Sequence, residues 1–153
     1  MNHTFGLALL ISLIGCGSSD DGGPPLFPAD YATTYQEVRN CRNSIEHDLV
    51  RVRILAAPDA LTAYNGRLED FPEGAIALKE EYDGGDINCE RDIMRWTVMR
   101  KLAPGSAPDT LDWEWQEVDE DRREVDVDIM RCTNCHTDCG KPPEGYAGTC
   151  AAP

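Results

Sequence analysis

Gly74-Ala75-Ile76-Ala77-Leu78-Lys79-Glu80-Glu81-Tyr82 is the segment on which the fold turns. In an extended chain successive side chains point to opposite faces, so Ile76 and Leu78 share one face while Ala75, Ala77 and Lys79 share the other. The same period recurs on both sides of it. Val50, Val52 and Ile54 alternate with Arg51 and Arg53; Met94, Trp96 and Val98 alternate with Arg95, Thr97 and Met99; Trp113 and Trp115 flank Glu114; Val125, Val127 and Ile129 alternate with Asp126 and Asp128. Helix signals are brief. Asp30 can cap a helix over Tyr31 to Val38, and Pro58-Asp59 can start another that stops near Asn65-Gly66. The expected class is α+β, a predominantly antiparallel sheet of about five strands with short helices. Ala75 and Ala77 leave room for a flat ligand over their face with Lys79 at its margin, although a lone lysine there lies in solvent by default.

Near the carboxy terminus stands Cys132-Thr133-Asn134-Cys135-His136. Cys-x-x-Cys-His is the pattern at which haem c is attached: two thiols one helical turn apart form thioethers, and the adjacent imidazole binds the iron as proximal ligand. Two other uses of these residues compete with it. Cys132, Cys135, His136, Cys139 and Cys150 contain enough thiolate and imidazole to hold zinc, or the cysteines could form a purely disulfide-bonded tail. Cysteine arithmetic favours haem. The chain has seven cysteines, and setting aside Cys16, Cys132 and Cys135 leaves Cys41, Cys89, Cys139 and Cys150, an even number that two disulfides would use up. The Pro- and Gly-containing loop from Cys139 to Cys150 reads as a self-contained staple, which leaves Cys41 for Cys89; other pairings stay open.

Residues 1–15 read as a lipoprotein signal peptide, because an apolar run from Phe5 to Ile14 ends at Leu13-Ile14-Gly15-Cys16, which resembles the lipobox of bacterial lipoproteins. Cys16 would carry the lipid. Residues 16–30 then form a lipidated cysteine and flexible tether, and 31–153 the haem domain. This places the protein in the bacterial cell envelope, lipid-anchored, facing the periplasm or on the outer membrane, in an oxidising compartment where disulfides persist. Gly17 after the cysteine, rather than Asp, favours the outer membrane. Acidic residues number 28 against 14 basic, a net charge of −14, so nucleic acid is not an expected partner.

Phe71-Pro72-Glu73-Gly74-Ala75-Ile76-Ala77-Leu78-Lys79-Glu80, a strand with Thr97-Val98-Met99-Arg100, a tryptophan-rich strand and then Cys-x-x-Cys-His together resemble the cytochrome P-460 family, which includes the β-sheet cytochromes c-prime. The resemblance runs from about Tyr31 to His136. It implies haem c, one per chain, with His136 as its strong protein ligand, and often a homodimer. In the catalytic branch of the family a lysine after the Gly-containing turn is bonded to the haem edge; the matching residue is Lys79. That branch oxidises hydroxylamine, using nitric oxide, to nitrous oxide, whereas the cytochromes c-prime bind nitric oxide and similar gases. The distal carboxylate that the catalytic branch carries on the strand matching Met94 to Lys101 has no counterpart here, since Trp96 and Thr97 take its approximate place. Trp96, Trp113 and Trp115 are expected in the core, with Trp96 also a candidate for the haem pocket beside Ala75 and Ala77.

A simple electron-transfer cytochrome is the competing function and would need a sixth ligand to the iron. His47 is expected to lie in solvent beside Asp48, Met94 and Met99 to pack, and Met130 to be too close to Cys132 to cross the haem. The sequence therefore points to an open site for a small ligand such as nitric oxide or hydroxylamine, with an unidentified redox partner. A disulfide-rich surface lipoprotein without haem, serving as an interaction module, is the third reading.

Overall fold

The computed structural model describes residues 22–67, 69–125, 128–141 and 147–150; the signal segment, Cys16 and the tether up to residue 21 lie outside them. Six strands form one antiparallel meander whose spatial order follows the chain: β1 (Gln36–Asn43), β2 (Arg51–Ala56), β3 (Ile76–Tyr82), β4 (Arg95–Lys101), β5 (Trp113–Asp119) and β6 (Glu124–Val125). Three short α-helices, α1 (Tyr31–Thr34), α2 (Leu61–Gly66) and α3 (Ile129–Thr137), lie outside the sheet in sequence. The α+β, mainly antiparallel architecture is the one that the period-two segments imply.

Three elements differ from expectation. The first helix stops at Thr34, and Gln36–Asn43 becomes an edge strand paired with β2. Its sequence, QEVRNCRN, is polar and its register shifts twice, so alternation could not announce it. Of the strand expected over Val125 to Ile129, Val125 is in the strand Glu124–Val125, Asp126 and Val127 lie outside the described residues, and Ile129 instead begins α3. Asp128 decides this locally: its carboxylate accepts the Met130 N–H at 3.1 Å and caps the helix that carries the Cys-x-x-Cys-His motif.

The sheet is buried on both faces. On one, Leu55, Ile76, Leu78, Trp96, Val98 and Val118 pack under α1 with Phe27 and Tyr31. On the other, Ala56, Ala75, Ala77, Met99 and Trp113 pack under α2 with Tyr64 and Phe71. The Cys41–Cys89 disulfide ties β1 to the loop between β3 and β4, and Cys139–Cys150 closes a loop after α3.

Candidate functional site

Register places five residues in one row across the α2 face: Arg39 on β1, Ile54 on β2, Lys79 on β3, Thr97 on β4 and Glu117 on β5. Lys79 is not at a solvent margin. Its side chain is 14% exposed and its Nζ lies 3.2 Å from Glu81 Oε1. Burial lowers the Lys79 pKa from its ordinary value, while the Glu81 carboxylate pulls the other way.

Glu81 is the acid that inspection of β4 alone missed. It lies two residues beyond Lys79, so the strand period puts both on one face, and it is 1% exposed. Its carboxylate accepts Arg95 Nε at 2.6 Å and Thr97 Oγ1 at 3.3 Å. Burial pushes the Glu81 pKa up, but Lys79 and Arg95 outweigh it and hold the group below its usual value. Arg95 continues to Glu117 at 3.3 Å and Asp48 at 3.7 Å, and Asp48 pairs with Arg131 of α3 at 2.8 Å. The polar cluster thus joins the sheet to the motif helix.

Helix α3 presents its motif to this cluster. Cys132 is half-buried, with Lys79 and Glu117 among the charges acting on it, and burial raises its thiol pKa. Cys135 is exposed. Among the described residues these are the free cysteines, because Cys41, Cys89, Cys139 and Cys150 are paired. The zinc alternative loses two of its thiolates to a disulfide, and among the described residues no three His, Cys, Asp or Glu side chains are grouped to hold a metal ion. His136 lies edge-on to Trp115 with ring centroids 4.6 Å apart, and its Nδ1 is 2.5 Å from the Gly148 carbonyl. That bond places the proton on Nδ1 and leaves Nε2 as the free lone pair for a metal. Burial lowers the His136 pKa, which also keeps the ring neutral.

The structure divides the three expected pocket positions between the two faces of the sheet. Trp96 is opposite Glu80 in the register, hence on the α1 face, where it is 7% exposed, packs against Phe27 and Tyr31 and donates its Nε1–H to the Tyr31 hydroxyl at 2.9 Å. Trp115 takes the place at the site. Ala75 and Ala77 do lie on the site face, but Tyr64, Phe71 and Trp113 cover them in a protein core, so their small size admits α2. The site lies at the Lys79 end. His47 also departs from expectation, being half-buried with its ring centroid 6.3 Å from that of His136. Burial pushes its pKa down to about 4, assisted by the Lys79 charge.

The family model for cytochrome P-460 matches residues 28–142. The chain belongs to the cytochrome P-460 family. No curated protein matches it. Proteins of the cytochrome P-460 family bind c-type haem, and the side chains of this member suit that group. Besides the two free thiols and the Nε2 of His136, the α2 side of the sheet carries buried donors without acceptors: Arg39 Nε and Nη2, the Tyr64 hydroxyl and Trp115 Nε1. Arg39 is 8% exposed and its guanidinium lies over the Tyr64 ring at 5.5 Å. Unmatched buried donors each cost about 1–3 kcal/mol. A porphyrin with two carboxylate side chains would supply acceptors of the kind that this side lacks.

Proposed function

We propose that this cytochrome P-460 relative is a lipid-anchored, periplasm-facing c-type haem protein that binds small nitrogen oxides, with hydroxylamine as its candidate substrate. Cys132 and Cys135 are the residues for the two thioethers and His136 for the proximal bond. Haem c, when bound, supplies the redox chemistry and the site for a small ligand. The observation that carries the reading is the Lys79–Glu81 pair on the site face beside α3. A lysine whose burial disfavours its charged form has a larger share of neutral amine, which is the nucleophilic form; a bond from it to the haem edge would break one amine N–H and one haem C–H and pass two electrons to an external oxidant such as a peroxide. Glu81 orients that amine through the 3.2 Å contact. Arg95 and Thr97 fix Glu81 in turn, so an acid–base pair is available even though β4 supplies no carboxylate.

Cys16 carries the anchor, residues 1–15 the export signal and residues 16–30 the tether, and a homodimer is the expected assembly. Electron transfer without catalysis is the second reading, and one observation favours it: His47 stands beside His136 instead of in solvent.

The test is the ferrous absorption spectrum of protein matured with covalent haem. A strongly red-shifted Soret band in the wild type, returning to an ordinary c-type spectrum in Lys79→Ala, supports the lysine-modified haem and makes hydroxylamine oxidation the next assay. An ordinary wild-type spectrum removes the cross-link. Cys16→Ala is expected to move the protein from the membrane fraction to the soluble fraction.

A further inference from the structure

We propose that His47 is a second axial ligand, binding through Nε2 the same iron that His136 holds. The inference rests on the haem reading above and departs from the open sixth position that the sequence suggested.

Spacing is the first observation. A metal–imidazole bond of about 2 Å, with the ring centroid roughly 1 Å behind the bonding nitrogen, places two imidazoles on one metal roughly 6 Å apart between centroids. The His47 and His136 centroids are 6.3 Å apart, and an interplanar angle of 61° means that the rings are not stacked on each other. Orientation of the protons is the second. The Gly148 carbonyl, 2.5 Å from His136 Nδ1, can only accept, which puts that proton on Nδ1 and frees Nε2; Ser44 Oγ, 2.6 Å from His47 Nδ1, can accept as well as donate, and in the tautomer in which it accepts His47 Nε2 is free too. That is the pattern in which a metal-bound imidazole is held by a hydrogen bond at its far nitrogen.

The third observation is how the fold holds His47. It ends a turn of 3-10 helix and is followed by Asp48 and Leu49, both at φ 62°. Two successive non-glycine residues in the left-handed region are strained and persist only when the surroundings impose them. Here the Ser44 N–H bonds the Val50 carbonyl at 3.0 Å, and Asp48 is paired with Arg131 at 2.8 Å. Arg131 lies on α3, one residue before Cys132, so the same ion pair joins the His47 turn to the helix bearing His136. With two imidazoles on the iron, nitric oxide or carbon monoxide enters only as His47 leaves.

The experiment uses the full chain matured with covalent haem, with ferric electron paramagnetic resonance and absorption at neutral pH and ferrous carbon monoxide kinetics. Low-spin ferric iron is expected in the wild type and high-spin iron in His47→Ala. Carbon monoxide should combine at least tenfold faster with that variant, and added imidazole should restore the low-spin spectrum. High-spin ferric wild type overturns the assignment without recourse to any variant, as does a low-spin spectrum that His47→Ala leaves unchanged. Absence of covalently bound haem from the denatured chain instead overturns the haem reading on which the assignment depends.

Discussion

Glu80 and Glu81 are adjacent, equally buried at 1% exposure and on opposite faces of β3, so replacing each by glutamine separates what the fold needs from what the site needs. Glu80 accepts three hydrogen bonds: from Tyr31 OH at 2.8 Å, Tyr82 OH at 2.7 Å and Arg53 Nε at 2.7 Å. Hydrogen bonds to a charged group contribute about 1.5–3 kcal/mol and neutral ones about 0.5–1.5, so loss of the charge weakens each bond by roughly 1 kcal/mol. Glutamine also places an N–H₂ where one oxygen stood. The Tyr31 hydroxyl, already accepting from Trp96, is then left with a proton and no acceptor. Relief from burying a carboxylate and the partial hydration of Arg53, whose side chain is 33% exposed, offset part of this. The expected net loss for Glu80→Gln is about 3 kcal/mol, or a fall in Tm of roughly 12 °C at about 4 °C per kcal/mol. Thermal and urea unfolding measure it, with the haem spectrum recorded on the same samples. Glu80→Gln should leave the spectrum unchanged, whereas Glu81→Gln should alter it and its pH dependence. A Glu80→Gln loss below about 1 kcal/mol, or a spectral change equal to that of Glu81→Gln, would refute the assignment of the two acids to separate faces.

The two disulfides are predicted to differ in both size and kind of effect. Serine replacements opening Cys41–Cys89, which closes a 48-residue separation, should cost about 4 kcal/mol, against about 3 kcal/mol for the 11-residue Cys139–Cys150 loop, in urea unfolding. Only the second should disturb the haem spectrum, because Gly148 lies in that loop and accepts from His136. Gly148→Ala should show the same coupling without a change in the disulfide: φ is 79°, and a Cβ would lie 3.1 Å from Trp113 Nε1, so a loss of about 1–3 kcal/mol is expected with a shifted spectrum. Burial and Glu80 raise the Tyr31 pKa from 10.0 to about 12, so the unfolded chain loses that proton first; its stabilising contribution is complete below pH 10 and declines as pH rises toward about 12. Alkaline unfolding of the wild type should therefore be steeper across that window than that of Tyr31→Phe, and parallel curves would count against the shift.

Much of the site was legible where one strand or one helix carries the information. Lys79 could be placed on a face of small residues from alternation alone, and Cys132, Cys135 and His136 stood out by spacing. The same alternation puts Glu81, two positions from Lys79, on that face, although the family resemblance points for an acid to the next strand. Trp96 shows the opposite limit. Its parity within β4 is visible, but which parity shares a face with Lys79 depends on the pairing of Lys79 with Thr97, and inter-strand register is set by packing of whole faces. His47 was hidden for another reason. A histidine beside an aspartate at a strand entrance reads as solvated, and the left-handed turn that directs it inward is made by two residues, Asp48 and Leu49, that rarely adopt it.

The electrostatics of the cluster favour an uncharged ligand. Lys79, Arg95 and Arg131 oppose Glu81, Glu117 and Asp48 through contacts of 2.6 to 3.7 Å that link the sheet to α3, so the paired groups balance one another. The chain as a whole carries −14. Such a field repels anions on approach and acts weakly on neutral molecules, and a balanced cluster offers an anion no compensating attraction once inside. Nitric oxide is neutral, and hydroxylamine in its free-base form is neutral, so neither meets that barrier. The same field would favour a basic redox partner over an acidic one.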